Sequence, residues 1–369
     1  MKPKILIVCC NGFEKGGIQA VIMSIVRILH ADYDFDAIVF SEGDQFYTKE
    51  FEEYGSIYHF KDRYPANKLR KTVEEMSREL YYSKVFSSFL SSHGPYQAIH
   101  CHNYFEAAPF LKVAKQKGIP VRIAHCHNVA PIHPRKNPLY HKLIGFYKKE
   151  ILKNATDYVA CSKAAGTYLF DNHIVRVINN AIDLGNFSYE KSIIEKRDTI
   201  KFIHVGRYSG QKNQLFLLEV FKEYHNMNSD SKLTLIGSGK LSQKIERRIK
   251  ELGLDGSIEM LPSDSDVPSY LAVHDCMIFP SMYEGLGISL IEAQAMGLHC
   301  FVSEAIQKEA DLGLCIFLKL EDGAHLWAKS IDEYIQKNGI EKKIIDMKSF
   351  DIKLISEQYR KIYAGESCL

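Results

Sequence analysis

The stretch CMIFPSMYEGLGISLIEAQAMG, residues 276–297, indicates the fold class. It begins with a short apolar run, continues through a turn that contains glycine, and ends in a segment with helical periodicity. The same order recurs along the chain, where short runs rich in β-branched residues alternate with longer helical segments. This alternation is typical of parallel sheets with crossover helices, so the sequence predicts an α/β protein.

The length predicts two domains, because 369 residues exceed the usual domain size of about 150 residues. The strand pattern starts afresh at Ile200, after a polar stretch without a clear period. Ligands of doubly wound sheets bind at the carboxyl ends of the strands, so two such domains facing each other would enclose a cleft. We expect a first doubly wound domain at 1–180, a linker at 181–199, a second doubly wound domain at 200–349, and a C-terminal helix within 350–369 that packs back on the first.

Composition excludes several classes of protein. Apolar residues make up 46% and charged residues 25%, as in ordinary folded proteins. The net charge of +2 provides no field that would recruit nucleic acid. No segment has the roughly 18 apolar residues that a membrane span requires. The nine cysteines include no CxxC pair, which indicates reduced thiols in the cytoplasm.

The helix predicted after the 276–279 strand is a candidate phosphate site. If it begins near Gly287, its first amides and the positive end of its dipole can bind a phosphate. Glu284 would precede the helix and Glu292 would lie one turn inside it, so both carboxylates could accept hydroxyl groups of one sugar nucleotide. The alternative is a solvated helix start with two exposed glutamates. The candidate binding residues are Glu284, Gly285, Leu286, Gly287, Ile288, Ser289 and Glu292.

A second candidate group follows the first strand of the second half, in HVGRYSGQKNQLFLLEVF at 204–221. Arg207 and Lys212 are separated by a turn that contains glycine, so both can reach one diphosphate. Arginine would bind the diphosphate through two parallel N–H donors, and lysine would bind it through its single ammonium group. The alternative is a pair of surface cations near a helix start.

In the first half, Gly16 and Gly17 lie between a strand and a helix. Two glycines let backbone amides approach a ligand closely. The pattern is not GxGxxG, which argues against a dinucleotide site. A plain tight turn is the alternative.

Two His-x-His pairs end apolar strands: His100 with His102, and His125 with His127. The period of two places each pair on one face of its strand. Four histidines could form a metal site, but parallel strand ends gather histidines without a metal and no carboxylate shares the spacing. We therefore expect a histidine at a ligand-binding strand end and no metal.

The motif EGLGISLIEAQAMG resembles the E-x7-E signature of family 4 of the retaining glycosyltransferases, with Glu284 and Glu292 as its glutamates. Arg207 and Lys212 are similar to the GR-x4-K element of that family. PVRIAHCHN resembles the region whose histidine contacts the transferring sugar, with His127 as first choice and His125 as second. The resemblance covers nearly the whole chain and is to the branch that builds bacterial capsule and exopolysaccharide.

The resemblance implies a GT-B architecture and a retaining, metal-independent hexosyltransferase without a cofactor. The donor would be a nucleotide sugar, most plausibly a UDP-sugar, and the acceptor a polyprenyl-diphosphate-linked glycan. It implies contact of Gly16 and Gly17 with the donor phosphates or the acceptor. Alternatives are a sugar-nucleotide epimerase or phosphorylase of the same architecture, or a non-catalytic nucleotide-sugar-binding partner in polysaccharide assembly. The implied catalytic residues are His127, Glu284, Arg207 and Lys212.

Residues 133–153, HPRKNPLYHKLIGFYKKEILK, combine cations with apolar residues at helical spacing. One interpretation is a helix packed on the core with a solvated cationic face. The other is a platform for anionic lipid beside the acceptor, with the protein peripheral on the inner face of the membrane.

Overall fold

The computed structural model describes residues 2–10, 12–41, 43–61, 71–127, 129, 138–191 and 199–366, with the backbone alone for 71–78 and 191. The chain divides into two compact units. Unit 1 contains residues 1–181 and 352–369, and unit 2 contains residues 182–351. Part of the predicted linker, residues 192–198, lies outside the described residues.

Unit 1 is built on a seven-stranded sheet of order β3-β2-β1-β4-β5-β6-β7. All neighbouring strands run parallel. Ile5, Leu6 and Val8 of the first strand are fully buried, as expected for a central strand covered on both faces. The strands are β1 (Lys4–Cys9), β2 (Asp34–Val39), β3 (Gly55–His59), β4 (Ala98–Cys101), β5 (Val121–Cys126), β6 (Asp157–Ala160) and β7 (Arg176–Val177).

The helices of unit 1 connect these strands and cover the sheet. None of the helices among the described residues has both the length and the apolar content that crossing a bilayer requires. They are α1 (Gly17–Leu29), α2 (Thr48–Glu52), α3 (Lys71–Ser92), α4 (Ala107–Gln116), α5 (Pro138–Asn154), α6 (Lys163–Phe170) and, from the far end of the chain, α12 (Ile352–Tyr363).

Unit 2 is built on a six-stranded parallel sheet of order β10-β9-β8-β11-β12-β13. Its strands are β8 (Lys201–Val205), β9 (Lys232–Ile236), β10 (Ile258–Leu261), β11 (Cys276–Phe279), β12 (His299–Ser303) and β13 (Cys315–Leu318). Its helices are α7 (Gln214–Met227), α8 (Ser242–Glu251), α9 (Val267–Val273), α10 (Ile288–Ala295) and α11 (Gly323–Asn338). Both sheets therefore have the doubly wound order, in which the chain moves outward from the first strand to the third and then crosses back to continue on the other side of the first strand.

Helix α12 follows unit 2 in sequence and packs on unit 1. Its buried residues recur at helical spacing, which gives it one apolar face. Tyr363 meets Tyr33 edge to face, with ring centroids 5.4 Å apart. Where α12 meets unit 1 at the protein surface, Arg360 Nε lies 2.8 Å from Asp32 Oδ2. Unit 1 is thus completed by a segment that is synthesised after unit 2.

Replacing Tyr359, which is 1% exposed, with alanine should test this packing. We expect Tyr359→Ala to lower the free energy of unfolding of unit 1 by about 3–5 kcal/mol, because a large buried ring is removed. Trp327 is the only tryptophan of the chain and is buried in unit 2, so its fluorescence reports unit 2 alone. In urea, far-ultraviolet circular dichroism should show an earlier transition while the fluorescence midpoint stays unchanged.

The exposed substitution Lys361→Ala on the same helix is the control and should leave both transitions in place. A fluorescence midpoint that moves together with the dichroism in Tyr359→Ala would contradict the assignment of α12 to unit 1.

Candidate functional site

In unit 2, two loops leave the sheet at the point where the strand order reverses. β8 and β11 are neighbours in the sheet, yet their chains continue in opposite directions, to β9 and β12. The loop after β8 carries Arg207 and Lys212, and the loop after β11 carries Glu284. Because parallel strands end at the same edge, the topology brings together both motifs that the sequence singled out.

Lys212 and Glu284 form an ion pair at this edge. Lys212 Nζ lies 2.8 Å from Glu284 Oε1, with 15% and 9% of the two side chains exposed. The ammonium also lies over the ring of Phe279, 4.6 Å from its centroid. Glu284 Oε1 has no hydrogen bond among the described residues, so charge attraction rather than a directed hydrogen bond holds the pair. Both groups keep bonding capacity for a ligand.

The helix start that the sequence predicted lies beside this pair. Gly287 caps α10 in a left-handed conformation with φ 76°, which glycine adopts without a steric penalty. The helix begins at Ile288, so the amides of Ile288 and Ser289 belong to its first turn and have no intrahelical acceptor. Ser289 Oγ donates to Val205 O at 3.0 Å, which joins the helix start to the end of β8.

The remaining residues of the segment are placed around this helix start. Gly285 is buried, and Leu286 is 1% exposed, so its side chain anchors the loop in the core of unit 2. Glu292 is half-buried, one turn inside α10. Arg207 is exposed near the start of the loop that follows β8. The first-turn amides, Arg207 and Lys212 together form a positively polarised edge that can bind an anion.

Gln214, which the sequence analysis did not identify, holds the turn that carries Arg207. The side chain is fully buried. Its Nε2 donates to Arg207 O at 2.9 Å, and its Oε1 accepts from the Ser209 amide at 3.2 Å. The same Nε2 lies 3.2 Å from His204 Nε2, and His204 Nδ1 lies 2.9 Å from Ile278 O on β11. The turn is therefore fixed to the neighbouring strand through two buried polar side chains.

The two loops are also tied directly to each other. Gln211 Nε2 donates to Tyr283 O at 2.9 Å, and the Met282 amide donates to Gln211 O at 2.8 Å. Asn213 Nδ2 donates to Pro280 O at 3.3 Å. The polar run Gln211 to Gln214 was the sequence signal for these contacts, but nothing in its spacing indicates its partners. These bonds fix Lys212 and Glu284 relative to each other.

In unit 1, the structure places the candidate glycines at a helix start. Gly16 caps α1 in an extended conformation, and Gly17 is the first residue of that helix. The tight turn after β1 lies at Gly12 instead, which has φ 70°. A Cβ at Gly12 would lie 2.1 Å from Ser41 Oγ, so packing as well as conformation requires glycine there. Gly16 and Gly17 themselves place no side chain over the start of α1.

The four histidines of unit 1 are all buried, and His127 is the most exposed of them at 8%. Burial lowers the pKa of His127 to about 4 and lowers the pKa values of His100, His102 and His125 well below the ordinary value. All four rings are therefore neutral near neutral pH. His127 follows the end of β5, and His125 lies within the strand behind it. The residue nearer the strand end is the one that a ligand could reach.

Within the basic segment 133–153, residues 133–137, with Arg135 and Lys136, lie outside the described residues. The rest belongs to α5. Its inner face carries the buried residues Tyr147 and Ile151. Leu139 and Phe146, seven residues apart, are 57% and 46% exposed. The exposed lysines of the helix are Lys142, Lys149 and Lys153.

The buried imidazole of His204 should make unit 2 sensitive to acid. Burial lowers its pKa to about 4, so the folded state resists a proton that the unfolded chain accepts below about 6.5. The stabilisation that neutral His204 gives to the folded state is fully present above pH 6.5 and is lost as the pH falls toward 4. Between pH 7 and pH 5 we expect a loss of about 2 kcal/mol, which His204→Gln should remove.

Urea unfolding followed by Trp327 fluorescence at the two pH values measures this difference. Equal pH dependence in the wild type and the variant would contradict the assignment. His299→Gln is a comparison variant, because burial also lowers the pKa of that histidine in the same unit.

Comparisons with known proteins agree with this architecture. Residues 15–186 match the family model described as Glycosyltransferase Family 4, and residues 187–312 match the model described as Glycosyl transferases group 1. EpsF of Bacillus subtilis is 26% identical over 87% of this chain and 85% of its own length. The UDP-Gal:alpha-D-GlcNAc-diphosphoundecaprenol alpha-1,3-galactosyltransferase of Escherichia coli is 29% identical over 44% of this chain and 43% of its own length.

The fold also matches a solved structure. The crystal structure of Anabaena Alr3699/HepE in complex with UDP and glucose has a TM-score of 0.76 to this chain, with 16% identity over 98% of this chain and 99% of the other. The two doubly wound parallel sheets confirm the predicted α/β class and the GT-B type of architecture. With both family models in consecutive order over these two sheets, the chain belongs to glycosyltransferase family 4.

Proposed function

We propose that the protein transfers a hexose from a UDP-sugar to a hydroxyl group of a polyprenyl-diphosphate-linked glycan, with retention of configuration. The observation that carries this proposal is the Lys212–Glu284 pair, 2.8 Å apart, beside the start of α10 at the strand-order reversal of unit 2. This edge offers positive charge for a diphosphate and a carboxylate for sugar hydroxyls within a few ångströms. The names of the Escherichia coli relative and of the Anabaena complex include UDP, which supports this donor class.

In this proposal, the donor is bound mainly through the negative charge of its diphosphate. Arg207 and Lys212 neutralise the diphosphate, and the first amides of α10 donate to it. Glu292 accepts hydrogen bonds from the ribose hydroxyls. Glu284 accepts from the transferring sugar and keeps the Lys212 ammonium in place before the donor arrives. No divalent ion is required at the diphosphate, because the cations and amides supply the positive field.

The chemical step breaks the bond between the anomeric carbon and the diphosphate oxygen. The acceptor oxygen forms the new bond on the same face, and its proton passes to an oxygen of the departing diphosphate. Negative charge grows on that leaving group, so fixed cations stabilise the transition state more than the ground state. Removing one such donor in other enzymes costs about 3 kcal/mol of transition-state stabilisation.

Unit 1 supplies the acceptor side in this proposal. His127 is neutral and lies at a strand end, so it can exchange a hydrogen bond with a hydroxyl of the transferring sugar without adding charge. Gly16 and Gly17 leave the α1 start open to a phosphate or to the acceptor. Leu139, Phe146 and the exposed lysines of α5 suit the surface of an anionic membrane, which is where a polyprenyl-linked acceptor resides. The protein would then be peripheral on the inner face of that membrane.

Removing either cation should weaken UDP binding. We expect Arg207→Ala and Lys212→Met each to raise the Kd for UDP by about 10- to 100-fold, because each loses a charge-assisted hydrogen bond. Isothermal titration calorimetry on the full chain measures this change. Lys337→Ala, an exposed cation on α11, is the matched control and should bind UDP as the wild type does.

Lys212→Met also leaves Glu284 without its counter-ion, so its folding must be checked by circular dichroism. Arg207 is exposed, and Arg207→Ala therefore tests binding without that complication. Wild-type affinity for UDP in both variants would rule out the diphosphate assignment.

The two glutamates should separate binding from turnover. Glu292→Gln is expected to weaken UDP binding by about 10-fold, since the ribose loses an ionic acceptor. Glu284→Gln should lower the rate of sugar transfer more than it weakens UDP binding, because Glu284 contacts the sugar directly and affects the diphosphate only through Lys212. Calorimetry with UDP and a transfer assay with a lipid-linked acceptor distinguish the two effects. The opposite order of effects would reverse the assigned roles.

A further inference from the structure

The four histidines of unit 1 form a grid of imidazole rings on one face of the sheet. His100 Nε2 lies 3.1 Å from His125 Nδ1, and His102 Nδ1 lies 2.9 Å from His127 Nε2. The ring planes of His100 and His125 are nearly parallel, with an interplanar angle of 8°. Those of His102 and His127 are also nearly parallel, with an angle of 14°. Along each strand the rings stack, with centroids 4.0 Å apart for His100 and His102 and 3.9 Å apart for His125 and His127.

The hydrogen bonds of this grid are incomplete. His102 Nε2 and His125 Nε2 are buried and have no hydrogen-bond partner among the described residues. A neutral imidazole has one donor nitrogen and one acceptor nitrogen, so two paired rings always leave groups that need outside partners. Buried polar groups in native proteins are nearly always satisfied, so these two nitrogens have bonding capacity for an ion or a water molecule.

We infer that His100, His102 and His125 bind one late first-row transition-metal ion of the Zn²⁺ type. Ring nitrogens of these three residues all lie within 4.8 Å of one another. The 3.1 Å separation of His100 Nε2 and His125 Nδ1 is close to the roughly 3.3 Å between ligand atoms of a tetrahedral site with Zn–N bonds of about 2.05 Å. Since the ring nitrogens are up to 4.8 Å apart, the rings would have to rotate, and the contact between His100 Nε2 and His125 Nδ1 would have to open, to bring three nitrogens to one centre with a fourth position open.

The chemistry of the donor set selects the ion. Three neutral imidazoles suit Zn²⁺, Cu²⁺ or Ni²⁺, whereas Mg²⁺, Ca²⁺ and Mn²⁺ prefer oxygen ligands. His100 also has the outer partner that ligating histidines usually have, because its Nδ1 lies 2.9 Å from Tyr363 Oη. Coordination through Nε2 would leave the Nδ1–H to donate to that hydroxyl. Tyr363 is therefore a positioning residue for the ion.

The sequence alone argued against a metal because no carboxylate shares the histidine spacing. The structure adds what spacing does not show, namely that rings from two adjacent strands lie close together and that buried nitrogens of His102 and His125 lack partners among the described residues. This site belongs to unit 1 and is independent of the proposed diphosphate chemistry of Arg207 and Lys212. His127 stays in the candidate sugar-binding set and is not one of the proposed ligands.

Metal titration of the full chain, after treatment with a chelator, tests this inference. We expect one Zn²⁺ per chain by calorimetry, and intense visible absorption of tetrahedral type when Co²⁺ is used as the probe. His100→Gln and His125→Gln should each weaken Zn²⁺ binding by more than about 100-fold, since each removes a ligand. Tyr363→Phe should weaken it by about 10- to 100-fold through the loss of the outer partner. His30→Gln, at an exposed histidine of unit 1, is the control and should bind as the wild type does.

The inference is overturned if chelator-treated protein binds no Zn²⁺ or Co²⁺, or if folded His100→Gln and His125→Gln retain wild-type affinity. The latter result would indicate adventitious surface binding only. Circular dichroism checks the fold of each variant, and Tyr363→Phe provides a milder change should a histidine variant not fold. UDP calorimetry on the same samples separates this outcome from the proposed function, because the UDP contacts lie in unit 2.

Discussion

The reversal of strand order between β8 and β11 is the constraint on which the candidate donor site depends. Two parallel neighbours end at one edge, and their crossovers leave in opposite directions, so no crossover covers the gap between the two loops. The charged pair of Lys212 and Glu284 occupies that gap. Because buried Gln214 and the bonds from Gln211 and Asn213 hold both loops, a ligand would meet groups that are already in position. Preorganisation of this kind is what makes charge effective in catalysis.

The two units use polar side chains at their strand ends in opposite ways. In unit 2, a lysine and a glutamate stay close together at the sheet edge, and each compensates the charge of the other. In unit 1, burial keeps four imidazoles neutral, so the strand ends present nitrogen atoms rather than charge. The net charge of +2 for the whole chain indicates neither arrangement, because both depend on where individual side chains lie in the fold.

Local signals in the sequence predicted the elements well where one strand or one cap decided the outcome. The apolar runs of β1 and β11 and the start of α10 after Gly287 follow from residue pattern and from the conformational freedom of glycine. The edge strand β13 was not predicted, because its four residues are only half-buried and give no clear period. The turn at Gly12 was also missed, because the close packing that requires glycine there comes from Ser41, which is distant in sequence. Likewise, no spacing rule indicates that Gln214 bonds to both Arg207 and Ser209.

The route of the chain through α12 has a consequence for biosynthesis. On the ribosome, all residues of unit 2 emerge before the helix that completes unit 1. Until α12 is synthesised, the surface of unit 1 that α12 will cover, including Tyr33, stays open to solvent. The sheet of unit 2 is free to form during this time. A contact between residues more than 300 positions apart closes the fold last, and such long loop closure is entropically costly. The first unit to leave the ribosome is therefore the second to be completed, and apolar surface that is exposed in the meantime favours aggregation.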